Sequence, residues 1–289
     1  MTRLLVLLLV VPLSGAVVSE VRFKISAGDL ASAGAIADEF CRTSGPTSEC
    51  ADAIAWLARG AFYMHDYAAA DRYLSKTKSL IDPLLKEPHA DDDAFLVAAI
   101  GARIEIEARL LAARGKRDRA VAMLRAELPK WPAYAMHARI QKNINLLTLV
   151  GRPAPHLDES DRGHLVLLFL WGHWCGDCSG EAPILVRIHK RFPALTIRAI
   201  THRVGYAKDI ENPSPAQEDA DRERVWKETY AGLEDVAHPV DEAAMLDYGV
   251  SSTPTFVLID RSGIVRLYQP FRLSEDALAA EIERVMEKR

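Results

Sequence analysis

Two of the four cysteines stand three residues apart, in Trp171-Gly172-His173-Trp174-Cys175-Gly176-Asp177-Cys178. The residues before them, His164 to Trp171, form a continuous apolar run that predicts a buried strand. The residues after, Cys175 to Phe192, carry Ile184, Leu185, Ile188 and Phe192 at helical spacing. At such a junction Cys175 meets the unpaired N–H groups and the positive end of the helix, which favour a thiolate. Cys178 lies one turn on, so the two sulfurs can reach bonding distance. This spacing suits thiol–disulfide exchange: Cys175 attacks and forms a mixed disulfide, and Cys178 resolves it. A structural disulfide and half of a zinc site are the rival readings. Zinc needs two further ligands, and no second Cys-x-x-Cys or paired His motif supplies them, so no metal and no cofactor is expected.

A second signal is independent of the first. Ser251-Ser252-Thr253-Pro254-Thr255-Phe256 puts a proline at the mouth of a strand, where it needs a positional reason. The X-Pro bond is also the one that tolerates cis. A cis Thr253–Pro254 bond would turn backbone polar groups toward the thiols and let an extended substrate pair there; a plain edge-strand proline is the alternative. Glu181 stands one turn past Cys178 and is the candidate to take or give its proton, unless it is only a solvated helix-face carboxylate. His173, two residues before the nucleophile, could favour the thiolate as an imidazolium or be a plain loop histidine. Trp174 is expected to shield the pair and to form part of a docking surface.

These residues need a scaffold. Leu195 to Thr201 reads as a second strand and Asp219 to Leu233 as a helix. Thr255 to Asp260 and Ile264 to Tyr268 read as strands joined by the turn Arg261-Ser262-Gly263. Ser274 to Lys288 closes the chain as an amphipathic helix with Ser274 as its N-cap. The Pro- and acid-rich stretch 205–221, after His202 and Arg203, reads as a surface insertion. Strand, helix, strand, helix, hairpin, helix is an α/β arrangement around a mixed central sheet.

Together these features resemble the thioredoxin superfamily, in its TlpA/ResA-like periplasmic branch. Trp174-Cys175-Gly176-Asp177-Cys178 matches the family's Trp-Cys-x-x-Cys, and Glu181 and Pro183 match the Glu and Pro that follow it. Gly151 to Pro155 matches the segment that opens such domains. Tyr248-Gly249-Val250, Thr253-Pro254-Thr255, Leu258-Ile259-Asp260 and Gly263 match the cis-proline strand and the next turn. The resemblance covers roughly residues 150 to 289 and implies a thioredoxin-like fold acting on protein thiols and disulfides with a separate redox partner. Two departures stand out. Family members often carry Pro where this chain has Asp177. An anion about 6 Å from Cys175, at an effective dielectric near 40, would cost the thiolate roughly 1.4 kcal/mol, which points to a reductant. Thioredoxins also place a buried acid six residues before the nucleophile, where this chain has Phe169.

Residues 21–150 have a different texture, Ala-rich with few strand signals. Leu96, Ile100, Ile104, Ala108 and Leu111 recur at helical spacing, as do Met136, Ile140, Ile144 and Leu147. About six helices in antiparallel pairs are expected. Around Asp66-Tyr67-Ala68-Ala69-Ala70, with Leu57, Ala58 and Leu74, the chain resembles a tetratricopeptide repeat. A second copy runs through Ala108, Leu111, Gly115, Ala120, Leu124 and Pro132. Their offset is about 50 residues rather than 34, so an ordinary helical bundle is the equal alternative. Cys41 and Cys50 flank a turn-like stretch between helical segments; a structural disulfide there would be worth roughly 2.7 kcal/mol, the rival readings being two separate buried thiols or a second redox pair.

Residues 1–16 pair Arg3 with a short apolar run and Ser14-Gly15-Ala16, the pattern of a cleaved signal peptide, with an uncleaved membrane anchor as the alternative. The organisation expected is therefore 1–16 signal, 21–150 helical domain, 151–289 thioredoxin-like domain, exported to the bacterial periplasm or outside the cell. No later segment is apolar enough for a membrane span. With 289 residues and a net charge of -4 the chain has no footprint for nucleic acid. A disulfide isomerase, or an adaptor that binds a protein partner through its helical half, are the competing functions; a peroxidase is disfavoured because no Thr-x-x-Cys arrangement is present.

Overall fold

The computed structural model describes residues 15–87 and 92–287. The expected signal segment, 1–16, lies outside the described residues except for its last two. The chain divides into two compact units, residues 1–120 and 121–289. The expected boundary was at 150; the helix that carries Met136, Ile140 and Ile144 belongs to the second unit instead.

The first unit is a helical bundle of α1 (Ala16–Ser26), α2 (Leu30–Ser44), α3 (Ser48–Tyr63), α4 (Tyr67–Leu84) and α5 (Ala94–Ala113), with the start of α6 (Arg117–Glu127). Four of these helices begin at a side-chain cap: Asp29, Thr47, Asp66 and Asp93 accept the N–H of Ser32, Cys50, Ala69 and Leu96. Each cap satisfies an N–H that the helix itself leaves unpaired. Helix α3 is central, packing on α1, α2, α4 and α5. Its buried face is mostly alanine, Ala51, Ala53, Ala55, Ala58 and Ala61, with Ile54 and Leu57 filling the space between. At Gly60 a Cβ would come within 2.9 Å of the Ile25 side chain, so that side chain packs directly on the α3 backbone. Cys41 and Cys50 are joined as a disulfide that ties the end of α2 to the first turn of α3. Gly115, at φ +74, follows α5 as the end of that helix requires.

The second unit begins with the rest of α6 and α7 (Tyr134–Thr148). Its sheet has strands β1 (Leu165–Leu170), β2 (Leu195–Ile200), β3 (Thr255–Ile259) and β4 (Val265–Pro270), in the order β2-β1-β3-β4. β1 pairs parallel to β2 and antiparallel to β3, and β3 pairs antiparallel to β4. The remaining helices are α8 (Gly176–Arg191), α9 (Pro215–Thr229), α10 (Glu242–Asp247) and α11 (Glu275–Glu287). Every residue of β1 is buried, because both faces of the sheet are covered. Leu165, Leu167 and Phe169 face a core with Leu185 and Ile188 of α8, Trp226 of α9, and Leu278 and Ile282 of α11. Val166, Leu168 and Leu170 face Met245 of α10, Tyr248 and Leu149. This is the mixed sheet flanked by helices that the sequence predicts.

Three differences are local. The segment Gly151 to Ala154, outside the expected strands, extends the hairpin edge, with Gly151 N–H on the Val265 carbonyl at 2.8 Å and Ala154 N–H on that of Gly263 at 2.9 Å. Helix α9 starts four residues before the expected Asp219, at a Ser214–Gln217 capping box with Pro215 in its first turn. Helix α10 was not foreseen; it starts at the cap Asp241. Among the described residues no helix is long and apolar enough to cross a membrane.

Candidate active site

β1 delivers the chain to the top of the sheet, and Trp171 continues it. Trp171 is fully buried, and its indole N–H donates to the Ala199 carbonyl at 3.2 Å. Its ring meets Trp226 and Tyr230, which stack on each other at 4.4 Å. That aromatic block fixes where the strand ends. Gly172 then lets Trp174 fold back, since a Cβ there would lie 2.6 Å from the indole. Cys175 N–H bonds the Gly172 carbonyl at 3.0 Å, and the turn opens into α8.

Cys175 is the N-cap of α8, and its sulfur accepts the Cys178 N–H at 3.2 Å. When protonated, its thiol faces the Thr253 carbonyl at 3.5 Å. The hydrogen bond from the Cys178 thiol lowers the Cys175 thiol most. The Thr253 side chain and the backbone N–H groups of Cys178 and Asp177 add to it, and against the opposing effect of burial the thiol is lowered to about 6. Cys178 is fully buried; desolvation and its hydrogen bond to Cys175 push its thiol far above the ordinary range. One thiol is poised to attack and the other holds its proton, the asymmetry expected of a nucleophile and a resolving residue. Both are free thiols here.

The Thr253–Pro254 bond is cis, and this segment sits against Cys175 as the sequence predicts. Thr255 accompanies it, buried, with its hydroxyl on the Ser252 carbonyl at 3.0 Å. Glu181 is buried on the same helix as Cys178, so it is not a solvated surface carboxylate. Its Oε1 accepts Arg272 Nε at 2.7 Å, while Oε2 is buried without a protein partner.

Two further residues have settings the sequence did not show. The Asp177 carboxylate is exposed and faces Arg272 Nη1 at 3.9 Å, while its backbone N–H favours the thiolate. His173 is buried, and it donates from Nε2 to the Tyr206 carbonyl at 2.9 Å. It therefore binds the motif to the segment after β2. That segment is also held by Glu218, a buried carboxylate that accepts the N–H of Val204 at 2.7 Å and of Gly205 at 3.0 Å. Trp174 is half-buried and stands edge-on to His202, which stacks on Tyr134 at 4.7 Å. Phe169, where a buried acid was missing, packs on Phe256 and Tyr230.

Arg272 and Tyr230 escaped the sequence reading. Tyr230 is buried with no partner for its hydroxyl, and burial, then the charges of Cys178, Cys175 and Glu181, push that hydroxyl up. Nothing near either residue in the chain signals the site; only the fold brings them there. Among the described residues, no group of three or more His, Cys, Asp or Glu is placed to hold a metal ion.

No family model matches the chain. The thiol:disulfide interchange protein DsbE of Xylella fastidiosa (strain 9a5c) is 32% identical over 145 residues, covering 45% of this chain and 66% of that protein. The thioredoxin-like protein YneN of Bacillus subtilis (strain 168) is 26% identical over 128 residues, covering 43% of this chain and 65% of that protein. The chain thus spans just under two thirds of the length of these relatives. Among solved structures, a thiol-disulfide isomerase from Corynebacterium glutamicum aligns with a TM-score of 0.38 and 19% identity, covering 48% of this chain and 94% of that one. The chain contains a thioredoxin-like domain homologous to thiol:disulfide interchange proteins over about 45% of its length.

Proposed function

We propose that the chain is a thiol–disulfide oxidoreductase that reduces protein disulfides outside the cytoplasm. The observation that carries the reading is the Cys175 sulfur at the mouth of α8, held by the Cys178 N–H at 3.2 Å and lowered to about 6. In the forward direction the Cys175 thiolate attacks a substrate disulfide, one substrate sulfur leaves as a thiolate, and a mixed disulfide forms. Cys178 then gives up its proton, with Glu181 as the acceptor, and attacks Cys175. The second substrate thiol departs and the Cys175–Cys178 bond remains. The pair has lost two electrons and the substrate disulfide has gained them. A separate redox partner must return the pair to the dithiol state. Trp174, Thr253 and Pro254 are assigned to the substrate groove beside the nucleophile.

The direction follows from how far the thiolate is stabilised. A more stable thiolate favours the reduced protein and makes the pair more oxidising. A thiol near 6 sits closer to thioredoxin, near about 7, than to the strong oxidant DsbA, near about 3.5. A redox titration is expected to give a potential more negative than about -200 mV; a value near about -120 mV would reverse the assignment. The exported location is supported by the signal-like residues 1–16.

The reaction itself is tested with insulin and a thiol reductant. The wild-type chain should accelerate the appearance of reduced insulin B chain, and Cys175→Ser should abolish that acceleration. Acceleration that survives Cys175→Ser would leave the thioredoxin-like domain as a scaffold and favour an adaptor role for the helical unit.

A further inference from the structure

Cys178 must lose a proton before it can resolve a mixed disulfide, and it sits where that is hardest. Its thiol is fully buried and raised by desolvation. A base has to lie inside the same low-dielectric space. Glu181 is three residues on along α8 and only 1% exposed. A carboxylate so buried accepts a proton only if something keeps it ionised, because desolvation alone favours the neutral acid.

The groups around Glu181 come from three elements. Tyr230, just past α9, feels the charges of Cys178, Cys175 and Glu181, all carried at the start of α8; the turn after β4 contributes Arg272, which bonds Glu181 and faces Asp177. Of these only Arg272 is a cation. Its Nε lies 2.7 Å from Glu181 Oε1, which leaves Oε2 buried and unengaged. The guanidinium is fixed although it is exposed. It lies over Gly180, where a Cβ would approach Nη2 to 3.4 Å, and its Nη1 lies 3.9 Å from Asp177. The preceding residue, Phe271, has φ +73 and donates its N–H to the Pro254 carbonyl at 2.8 Å. An unbroken set of contacts therefore runs from the cis-proline segment through Phe271 and Arg272 to Glu181.

We propose that Arg272 is the positioning residue of the resolving step: it pairs with Glu181 at Oε1 and leaves Oε2 free to take the Cys178 proton. The proposal rests on the exchange reading above. In the step, the Cys178 proton passes to Glu181 and the Cys178 thiolate attacks Cys175 Sγ. The bond from Cys175 to the substrate sulfur breaks, the Cys175–Cys178 bond forms, and the substrate leaves as a thiolate that solvent protonates. The pair is oxidised and the substrate sulfur reduced, so no further reactant is needed.

Stopped-flow reaction of the reduced full-length chain with 4,4′-dithiodipyridine, an uncharged chromogenic disulfide, separates the two half-reactions. The first equivalent of pyridinethione reports attack by Cys175, and the second reports resolution by Cys178. Arg272→Met should slow the second phase about tenfold or more at neutral pH and move its pH midpoint upward, with the first phase changed by less than about threefold. Arg272→Lys should recover most of the lost rate. In a Glu181→Gln background, Arg272→Met should cost less than about twofold more, because both changes remove the same device. The proposal is overturned if Arg272→Met slows resolution equally with and without Glu181, if Arg272→Lys recovers nothing, or if Glu181→Gln leaves the second phase unchanged. Failure of the exchange reading looks different: the first phase would be absent, or would persist in Cys175→Ser.

Discussion

At the scale of single residues, the site is a pair of thiols with opposite fates. The hydrogen bond from Cys178 is the largest influence lowering Cys175 to about 6, and the helix N–H groups reinforce it. The sign of the pH dependence follows. Below about 6 Cys175 is a neutral thiol, and as pH rises through that value it becomes the thiolate. Alkylation of the reduced protein by iodoacetamide should rise with a midpoint near pH 6 and then level off, while Cys178 stays unmodified in the native state. Cys178→Ala removes the largest lowering influence, so its midpoint should move upward; an unchanged midpoint would assign the effect to the helix end alone. These two cysteines, Glu181 and the Thr253-Pro254 pair were legible because their meaning is carried by near neighbours in the chain. The setting of Asp177 was not legible, for the complementary reason. Its carboxylate faces Arg272, a residue 95 positions later, and no local pattern announces that encounter.

At the scale of elements, long periodic segments were legible and short or buried-polar ones were not. β1 and α8 announce themselves by an unbroken apolar run and by helical spacing. Helix α10, Glu242–Asp247, is too short for a period to register. The stretch after β2 read as a loose surface insertion because it is rich in Pro and acids. One of those acids is the reason it is fixed. Glu218 is buried and takes the N–H groups of Val204 and Gly205, and His173 adds its bond to the Tyr206 carbonyl. Glu218→Ala leaves two backbone donors without their acceptor, at about 1–3 kcal/mol each where the site stays dry. Amide exchange at Val204 and Gly205 should quicken markedly and proteolysis within 203–213 should become easier, while exchange in β1 and β3 stays slow. Unaltered protection at those two amides would show that the loop is held by other contacts.

At the scale of the whole chain, composition grouped what packing separates. α7 shares its helical period with the residues before it, and so read as part of the first unit. In the fold its Met136, Ile140 and Ile144 are buried in the second, and Asn145 donates to the Asp247 carbonyl at the end of α10 at 2.9 Å. Close approach seals that arrangement: at Gly249, φ +66, a Cβ would lie 2.2 Å from the backbone nitrogen of Lys142. The two cysteine pairs follow the same division. Cys175 and Cys178 are free thiols in the second unit, whereas Cys41 and Cys50 are bonded in the first, with Cys50 wholly buried. A bridge with one sulfur so enclosed is a poor target for an attacking thiolate, which needs access to the sulfur. Replacing both Cys41 and Cys50 with alanine in the full chain should therefore lower the stability of the helical unit by about 2–3 kcal/mol, the loop-closure value for so short a span. Denaturant unfolding followed by helical circular dichroism reads that loss. The same variant should titrate Cys175 at the wild-type midpoint and reduce insulin at the wild-type rate. A change in either would place Cys41 and Cys50 in the electron path, and the division of labour between the two pairs would fail.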